Sequence, residues 1–531
     1  MSLIYRLNET TYRVFVKGAP DWLHQYTTSY LDKFGNIQQI NEDFENSRDK
    51  QIKNYADHAL RTLLLCYKDV PVNELNADVE DLEYLETQLE KQLIVIGVVG
   101  IQDPLRPEVE GAVRTCQNAG VTVRVFTGDS ADSAIAISKN AGIIEKNYDP
   151  NLDKHVVMTG PEFSEFVGGR KEIKDDKGKI IKYEIGNLEK FKIVYEKTRV
   201  IARSSPEDKY LLVTGIRQLG HVVAVTGDGT NDAPALKKAD VGFAWNIQGT
   251  QVAKEASDII VLNDSFNSIV AAILQGKHNL DCIRKFLYFQ VVLNIVAILM
   301  VTLSAIALRE SPLGLLQVVW INVFVSSFII YAQIWEKPQE SLIKTKPQGK
   351  FEAMITPNMW RNIIGQGIWQ IFVLLVVLFK GAEIFSIPTG IHNEHWTQEN
   401  EQHYTIFFNI FVYMQVFNEI NARKLNKEEK NVFSGFFINP FFLIVIIFTI
   451  FVQILLTTYG GLAAGCSDLT MHQHIVCLVI GASSLIVGYL IKLLPEACFN
   501  SIFLFRNFEK EGEEEKQDSQ FKLESSKDKN I

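Results

Sequence analysis

The sequence lacks the marks of a secreted module or of a nucleic-acid-binding protein. Its six cysteines occur singly, without the spacing of a metal site or a dense disulfide framework, which indicates a reducing environment. Acidic residues outnumber basic ones by 62 to 53, and because binding to nucleic-acid phosphates needs clustered cations, we expect no nucleic-acid partner. The first residues lead into strand-like alternation at 12–16 rather than an apolar leader, so membrane insertion is expected to depend on internal segments.

The second half of the sequence carries apolar runs that no soluble domain would have. Crossing a bilayer takes about 20 apolar residues. Six segments approach this length, and we predict an all-α bundle of six transmembrane helices from them. The fourth is interrupted by Asn409, Gln415, Asn418 and Glu419, so a buried or interfacial helix is the alternative there. The six segments are 286–308, 313–335, 363–379, 404–420, 437–457 and 475–494.

The loops between these segments predict the orientation of the chain. Lysine and arginine concentrate in 336–361 and 421–435, which are therefore predicted to be cytosolic. The 381–403 loop is acidic and rich in histidine, and 460–474 has no lysine or arginine, so both are predicted to lie on the far side. With six spans, the soluble half and both termini are expected in the cytosol, in a multi-pass membrane protein surrounded by lipid.

The first half of the sequence predicts an α/β domain with a doubly wound parallel sheet. Four β-branched runs read as buried strands, and helical patterns such as 108–119 and 208–219 separate them. In such sheets, ligands bind beyond the carboxyl ends of the strands. We predict this domain at 93–275, the helical bundle at 276–498 and a disordered tail at 499–531. The predicted strands are 93–99, 121–126, 200–202 and 222–225.

One run, Thr226-Gly-Asp-Gly-Thr-Asn-Asp232, directly follows the last of these strands. Its carboxylates, Asp228 and Asp232, lie four residues apart on a glycine-rich turn and can hold Mg²⁺ against a phosphoryl group. Asn231 can add an amide contact, and the glycines allow close backbone approach. The alternative is an ordinary tight turn with an Asx cap.

Two further motifs lie at strand ends. Lys209 falls in the first turn of a helix that Ser205 and Pro206 are predicted to begin. A cation gains nothing from the helix dipole there, so Lys209 is interpreted as a phosphate ligand, although an isolated surface lysine is the alternative. The turn Thr127-Gly128-Asp129 offers a hydroxyl and amides to phosphate oxygens.

Together these motifs resemble the P-type ATPases of the haloacid-dehalogenase-like superfamily, and the plasma-membrane-type (type IIB) calcium pumps in particular. The runs that carry the second resemblance are 253–260, 320–322, 417–424 and 430–435. The resemblance covers nearly the whole chain and implies the C-terminal half of such a pump, with the fifth to tenth membrane helices. It also implies ATP-driven calcium transport across the plasma membrane or the membrane of an internal calcium store.

The resemblance assigns roles to individual residues. Lys209 would be the phosphate-binding lysine, with Thr127, Gly128 and Asp129 as the second phosphate-contact motif. Asp228 and Asp232 would hold Mg²⁺, supported by Asn231. Residues 1–92 would be the remnant of a nucleotide-binding domain, and its ATP ligands would be Lys17, from Lys-Gly-Ala, and Arg61, from Leu-Arg-Thr.

The membrane segments contain polar residues, which are functional candidates because burying them in lipid is unfavourable. Asn294 lies in the middle of the first span, and Asn322 and Ser326 lie in the second. The resemblance makes the two asparagines calcium ligands; interhelical hydrogen bonding is the alternative. The pump pattern has an aspartate where Ser326 stands, and a neutral site should bind a divalent ion less tightly.

The family's phosphorylation motif, Asp-Lys-Thr-Gly-Thr, does not occur in the sequence. The chain is therefore expected not to form a phosphoenzyme alone. Three interpretations stay open: a fragment of a calcium pump, a half-pump that pairs with a second chain, and a nucleotide-binding membrane protein without catalysis. A pump for another cation is a further alternative. Residues 499–508 carry only one basic residue, Arg506, so calmodulin binding is expected to be weak or absent.

Overall fold

A computed structural model describes most of the chain in two compact units. One, the soluble unit, comprises Met1–Ala272 with Lys344–Lys350, and the other, the helical unit, comprises Ile273–Ile343 with Phe351–Ile531. The predicted disordered tail at 499–531 lies outside the described residues. The described residues are 1–57, 60–72, 90–102, 104–150, 153, 155–174, 180–350, 353–391, 398–425 and 431–494.

The soluble unit begins with a six-stranded mixed sheet. The strand order is β1-β2-β5-β6-β3-β4, and only β3 and β6 pair in parallel. Alternate apolar residues of its central strands, such as Val14, Val16 and Leu64, form a buried core on one face. The strands are β1 Ser2–Arg6, β2 Thr11–Gly18, β3 Thr27–Leu31, β4 Ile37–Gln39, β5 Arg61–Pro71 and β6 Leu93–Ile101.

Strand β6 corrects the prediction that 93–99 belongs to the parallel sheet. It pairs antiparallel with β5, from Arg61 opposite Ile101 to Tyr67 opposite Ile94. Its apolar run suggested a strand buried on both faces, but Ile96 and Val99 are exposed and the strand covers the core on one face only.

Two three-stranded parallel sheets follow, in the orders β7-β11-β8 and β12-β13-β14. The strand predicted at 121–126 is confined to Val125–Phe126, whereas the one at 200–202 is confirmed and the one at 222–225 is shifted by two residues. An antiparallel hairpin, β9-β10, completes the set. The strands are β7 Val125–Phe126, β8 Val157–Thr159, β9 Arg170–Lys174, β10 Ile180–Ile185, β11 Val200–Ala202, β12 Ala224–Gly227, β13 Val241–Trp245 and β14 Ile259–Val261.

Nine helices are described between or beside these strands. The helices predicted at 108–119 and 208–219 are confirmed as α3 and α7, with ends that differ by one or two residues. The helices are α1 Pro20–Leu23, α2 Glu42–Asp57, α3 Val109–Asn118, α4 Ala131–Asn140, α5 Gly160–Phe166, α6 Leu188–Lys197, α7 Pro206–Gln218, α8 Ala233–Lys238 and α9 Gln251–Ala256.

Helix α7 is central to the core of the parallel sheets. Leu211, Leu212 and Ile216 share one apolar cluster with Phe126 of β7 and Val225 of β12. The two parallel sheets are therefore packed on a common core. Gly215 of the same helix lies against the ring of the fully buried Phe191.

Replacing Gly215 by alanine is expected to destabilise the chain by about 1–3 kcal/mol. The new Cβ would clash with the ring of Phe191, so the buried ring must move, which outweighs the higher helix propensity of alanine. Gly111→Ala is the matched control, because nothing lies within 4 Å of its Cβ position, and it should stabilise the chain slightly. Calorimetric unfolding of the full chain measures both, and a Gly215→Ala variant as stable as the control would contradict the packing.

The helical unit contains five helices with the length and apolar composition to cross a membrane. They correspond to five of the six predicted spans. The second is interrupted by a π-helical segment, Trp320–Val325, between two α-helical parts. The helices are α10 Phe266–Leu308, which begins in the soluble unit, α11 Leu315–Ile334, α12 Pro357–Phe385, α13 Gln398–Ala422, α14 Pro440–Tyr459, the short α15 Gly461–Ala464 and α16 Met471–Leu493.

Helix α13 is the fourth predicted span, and it differs from the other five. It is 25 residues long but is not among the five candidates for crossing, because polar residues lower its hydropathy. Asn409, Gln415, Asn418 and Glu419 are fully buried in it, as are its apolar residues from Ile406 to Val416. The structure thus favours the alternative of a buried helix, and a sixth crossing helix is not confirmed.

Candidate functional site

The loop after β11 positions Lys209. The Ser205 side chain accepts a hydrogen bond from the Asp208 amide, and the Asp208 carboxylate accepts one from the Ser205 amide at 2.8 Å. This capping box, followed by Pro206 in the first turn, confirms that α7 begins where the sequence predicts. Lys209 therefore lies in the first turn, with its side chain only 18% exposed.

Lys209 and Asp232 are brought together although they are 23 residues apart. Lys209 Nζ lies 2.7 Å from Asp232 Oδ1. The other oxygen, Oδ2, accepts hydrogen bonds from the amides of Asp228 and Gly229 at 3.2 and 3.3 Å. The pair joins the carboxyl end of β11 to that of β12, and the Asp232 carboxylate holds the Lys209 ammonium group at that edge.

Gly227 is required by the close approach of Asp232. A Cβ at position 227 would lie 2.5 Å from the Cβ of Asp232 and 2.9 Å from its carboxyl carbon. Any side chain there would displace the carboxylate that holds Lys209.

The Thr127-Gly128-Asp129 turn packs against the loop that leads to Lys209. The Thr127 carbonyl accepts hydrogen bonds from the amide and hydroxyl of Ser204 at 3.0 and 3.1 Å. Thr127 Oγ1 accepts one from the Asp129 amide at 3.1 Å, which leaves its own hydrogen available to a ligand. Three of the predicted motifs therefore lie along neighbouring strand ends.

Asp228 and Asn231 present exposed oxygen atoms on the turn that follows β12. Carboxylate and amide oxygens are the donors that Mg²⁺ prefers, so the chemistry of these residues fits that ion. Asp232 differs, since its carboxylate already accepts three hydrogen bonds, which suits it to positioning Lys209. Among the described residues there is no cluster of three or more His, Cys, Asp or Glu that could hold a metal ion.

A cavity of about 320 Å³ opens beside the Thr127 turn, lined by Asp129, Arg106 and Asp264 among others. Asp264 fixes one wall, because its carboxylate accepts three backbone hydrogen bonds from residues 246–248, at 2.7, 3.1 and 2.8 Å. Burial raises the pKa of this carboxyl, but the amide hydrogen bonds outweigh it, and the pKa lies below its usual range. Sequence reasoning missed this residue, because a lone aspartate after β14 belongs to no recognisable pattern.

The two predicted nucleotide ligands lie on neighbouring strands of the six-stranded sheet. Lys17 is exposed on β2, where it pairs with Leu65 of β5. Arg61 is the first residue of β5, and its side chain lies outside the described residues. Their approach to a common ligand therefore stays a prediction.

The three predicted ion ligands lie on α10 and α11. Residues next to them, Leu293 of α10 and Ile321 of α11, belong to one buried apolar cluster. Asn322 donates from Nδ2 to the carbonyl of Val318 at 3.2 Å, and Ser326 donates from its hydroxyl to the carbonyl of Asn322. In the part of the chain that the structure describes, neither the Asn294 amide nor Asn322 Oδ1 has a hydrogen-bond partner.

The π-helical segment around Asn322 was not predicted from the sequence. It widens the turn that carries this asparagine, and such segments recur at functional sites in helices. No glycine or proline lies in Trp320–Val325 to indicate it.

Comparisons with known proteins agree at both ends of the chain. Residues 1–108 match the family model of the P-type ATPase cytoplasmic domain N, and residues 310–494 match that of the cation-transporting ATPase C-terminus. Human plasma membrane calcium-transporting ATPase 3 is 40% identical over 93% of this chain and 39% of its own length. The rat protein of the same name is 41% identical, over 93% and 38%.

A third relative, plasma membrane calcium-transporting ATPase 2 of Oreochromis mossambicus, is 40% identical over 94% of this chain and 43% of its own length. The chain thus spans about two fifths of the length of these relatives. Five helices able to cross a membrane make it a multi-pass membrane protein. Together with the two family models and the relatives, they establish that the chain belongs to the P-type cation-transporting ATPases.

Proposed function

We propose that the chain is the C-terminal half of an ATP-driven calcium pump of the plasma-membrane type, and that it lacks the aspartate that is phosphorylated. The observation that carries the proposal is the Lys209–Asp232 ion pair, which holds the Lys209 ammonium group at the strand ends beside the Thr127 turn. Lys209 binds and orients a phosphoryl group, and the Thr127 hydroxyl and the Gly128 amide contact its oxygens. Lys17 and Arg61 bind ATP.

Asp228 and Asn231 would hold Mg²⁺, and Asp232 supports them by fixing Lys209. The ion, when bound, neutralises charge on the transferring phosphoryl group. The protein contributes orientation, since the Gly227 contact and two amides hold the Asp232 carboxylate in place. Phosphoryl transfer depends mainly on such positioning and on electrostatic stabilisation.

The nucleophilic aspartate is proposed to come from a segment outside this sequence. Strands β7 and β12 are edge strands of their two parallel sheets, and Phe126 and Val225 from these strands pack on one core. Edge strands present unpaired backbone groups that accept another strand. A strand between β7 and β12 would join both sheets into one haloacid-dehalogenase-like sheet, with its carboxyl end beside Thr127 and Asp228.

The test compares the chain alone with a complemented pump, in which it is co-expressed with the N-terminal remainder of human plasma membrane calcium-transporting ATPase 3. We expect an acid-stable phosphoenzyme from radiolabelled ATP only in the complemented pump, and its loss on Lys209→Ala. A phosphoenzyme from the chain alone, or none from a complemented pump that assembles, would refute the proposal.

The transported ion is proposed to bind at Asn294, Asn322 and Ser326 within the membrane. Replacing Asn322 by alanine removes an oxygen ligand and should weaken calcium activation of phosphoenzyme formation by about tenfold or more. Asn439→Ala is the control, because that asparagine caps α14 and donates to Ala332. Calcium activation that is indifferent to Asn322 would remove this site.

One observation favours a second candidate, a pump for another cation. Asn294, Asn322 and Ser326 contain no carboxylate, and carboxylate number tunes affinity for divalent ions. Formation of the phosphoenzyme in the complemented pump without dependence on calcium, but with dependence on a monovalent cation, would favour this candidate over calcium.

A further inference from the structure

A chain of four side chains links the π-helical segment to three other helices. Trp320 Nε1 donates to Gln453 Oε1 at 2.9 Å, Gln453 Nε2 donates to Asn409 Oδ1 at 3.2 Å, and Asn409 Nδ2 lies 3.3 Å from His474 Nδ1. These residues belong to α11, α14, α13 and α16. Gln453 and Asn409 are fully buried and His474 is 7% exposed.

The direction of this chain is fixed at one end. The indole of Trp320 can only donate, so Gln453 must present its oxygen to Trp320 and its nitrogen to Asn409. Asn409 must then present its oxygen to Gln453 and its nitrogen to His474. The chain is satisfied only when His474 Nδ1 is an acceptor, which requires a neutral ring with its hydrogen on Nε2.

Protonation of His474 makes both ends of the chain donors. Rotating the amide of Asn409, or of Asn409 and Gln453 together, moves the donor–donor contact toward Trp320 but cannot remove it. Nε2 has no hydrogen-bond partner among the described residues, so Asn409 is the side chain that senses the state of the ring. Protonation of His474 therefore affects the hydrogen bond that the Trp320 indole donates.

We propose that Trp320, Gln453, Asn409 and His474 form a positioning device for the ion-binding segment, and that protonation of His474 releases it. The proposal deepens the proposed function, since Asn322 lies two residues after Trp320 in the same π-helical segment. While His474 is neutral, the four hydrogen-bonded side chains hold this segment against α14 and α13. Its release frees the turn that carries the Asn322 amide.

Other titratable groups lie on the elements near His474, and the test must separate them from it. Asp468 lies shortly before α16, and α13 packs closely against α16. Among the described residues, the titratable groups on α13 are Glu401, His403, Tyr404, Tyr413 and Glu419, and those before and on α16 are Cys466, Asp468, His472, Cys477, Tyr489 and Lys492. Helix α12, which also packs against α16, adds Arg361, Lys380 and Glu383.

His474→Gln is the discriminating variant. A glutamine oxygen can accept from Asn409 as Nδ1 does, but it does not titrate, and it leaves every other titratable group in place. Gln453→Leu removes the hydrogen bonds that link Trp320 to Asn409 at every pH, so it represents the released state. Neither residue belongs to the proposed phosphoryl-transfer or ion-binding groups.

The experiment uses the full chain in lipid nanodiscs with ¹⁵N-labelled tryptophan, whose seven indole signals are followed by NMR. Trp320→Phe identifies the signal of Trp320. We expect it to be downfield at about pH 8 and to move upfield as the pH falls to about 5, across the range in which histidine titrates. In His474→Gln it should stay downfield at both pH values, and in Gln453→Leu it should be upfield at both.

A Trp320 signal that does not move in the wild type, or that moves equally in His474→Gln, overturns the proposal. The other six indole signals report whether a variant is folded. A second arm measures calcium activation of the complemented pump. Acidification should lower the apparent calcium affinity of the wild type by up to about tenfold, and His474→Gln should abolish this loss. If the indole responds as expected but calcium activation does not depend on Asn322, the proposed ion site fails, whereas the coupling of His474 to Trp320 stands.

Discussion

Replacing Asp232 by asparagine is expected to lower the rate of phosphoenzyme formation in the complemented pump by about 100- to 1,000-fold, as removal of one preorganised electrostatic contact does elsewhere. The reason lies in Lys209, which is 18% exposed and 2.7 Å from the carboxylate. An asparagine offers one neutral oxygen and an amide, so it can no longer hold both Lys209 and the two backbone amides. Quench-flow measurement of phosphoenzyme from radiolabelled ATP gives the rate.

Asp228→Asn provides the matched control, because it removes one carboxylate from the same turn. Asp228 is exposed, so this variant should leave the stability of the chain unchanged. It should raise the Mg²⁺ concentration that phosphoenzyme formation requires. Asp232→Asn should in addition lower the unfolding temperature, since a half-buried Lys209 loses its partner. If both variants altered only the Mg²⁺ dependence, Asp232 would be a metal ligand and not a positioning residue.

That these candidate residues lie at neighbouring strand ends could be predicted from the sequence, but their individual contacts could not. The glycine-rich run and the Ser-Pro start of α7 indicated phosphate chemistry because both are local patterns. The ion pair between Lys209 and Asp232 joins positions 23 residues apart and depends on which strand ends are neighbours. Local pattern therefore made Asp228 and Asp232 equivalent, whereas only the second is held by three donors.

The fold was predictable where structure follows from local periodicity. Helices α3 and α7 begin and end close to their predicted limits, and five apolar spans are present. Strand β6 was assigned to the wrong sheet because an apolar run shows that a strand is buried but not which strand it pairs with. Pairing with β5 is settled by contacts about 30 residues away, which a single sequence does not encode locally.

Helix α13 shows the same limit within the membrane-type segments. Its amides and Glu419 read as interruptions of a lipid-facing span, which lowers the predicted tendency to cross. In the structure the amides face other helices, where Asn418 accepts from the Tyr288 hydroxyl at 2.8 Å and Gln415 donates to Gln370 at 2.8 Å. The Glu419 carboxyl is buried and has no hydrogen-bond partner among the described residues. Hydropathy averages a helix around its circumference and cannot record that polar groups are paired inside the bundle.

A buried ion-pair network at one end of the helical unit carries the largest expected effect on stability. Glu336, which follows α11, lies 3.4 Å from Lys285 of α10 and 3.2 Å from Arg423 at the end of α13. Lys285 also pairs with Asp281 at 2.8 Å. Arg423 is 2% exposed and lies over the rings of Phe436 and Phe442, so Glu336 is the carboxylate that balances its buried charge.

Glu336→Gln is expected to destabilise the chain by about 3–5 kcal/mol, because it leaves Arg423 buried without a counter-charge. Burial raises the pKa of Glu336, but Lys285 and Arg423 outweigh it, so the pKa lies below its usual range. The stabilisation is therefore complete above about pH 4.3, the ordinary value, and is lost as the pH falls further. Asp281→Asn should change stability by no more than about 1 kcal/mol, since Lys285 keeps Glu336.

The double variant Glu336→Gln/Arg423→Met separates charge from packing, because it removes the buried cation together with its partner. It should recover most of the stability lost in the single variant, since a well-packed apolar pair can replace a buried ion pair at little net change. Thermal unfolding of the full chain, followed by a maleimide dye that reacts with buried cysteines such as Cys282, measures all four proteins. A double variant as unstable as Glu336→Gln would mean that the carboxylate stabilises the helices through Lys285 and not by balancing the charge of Arg423.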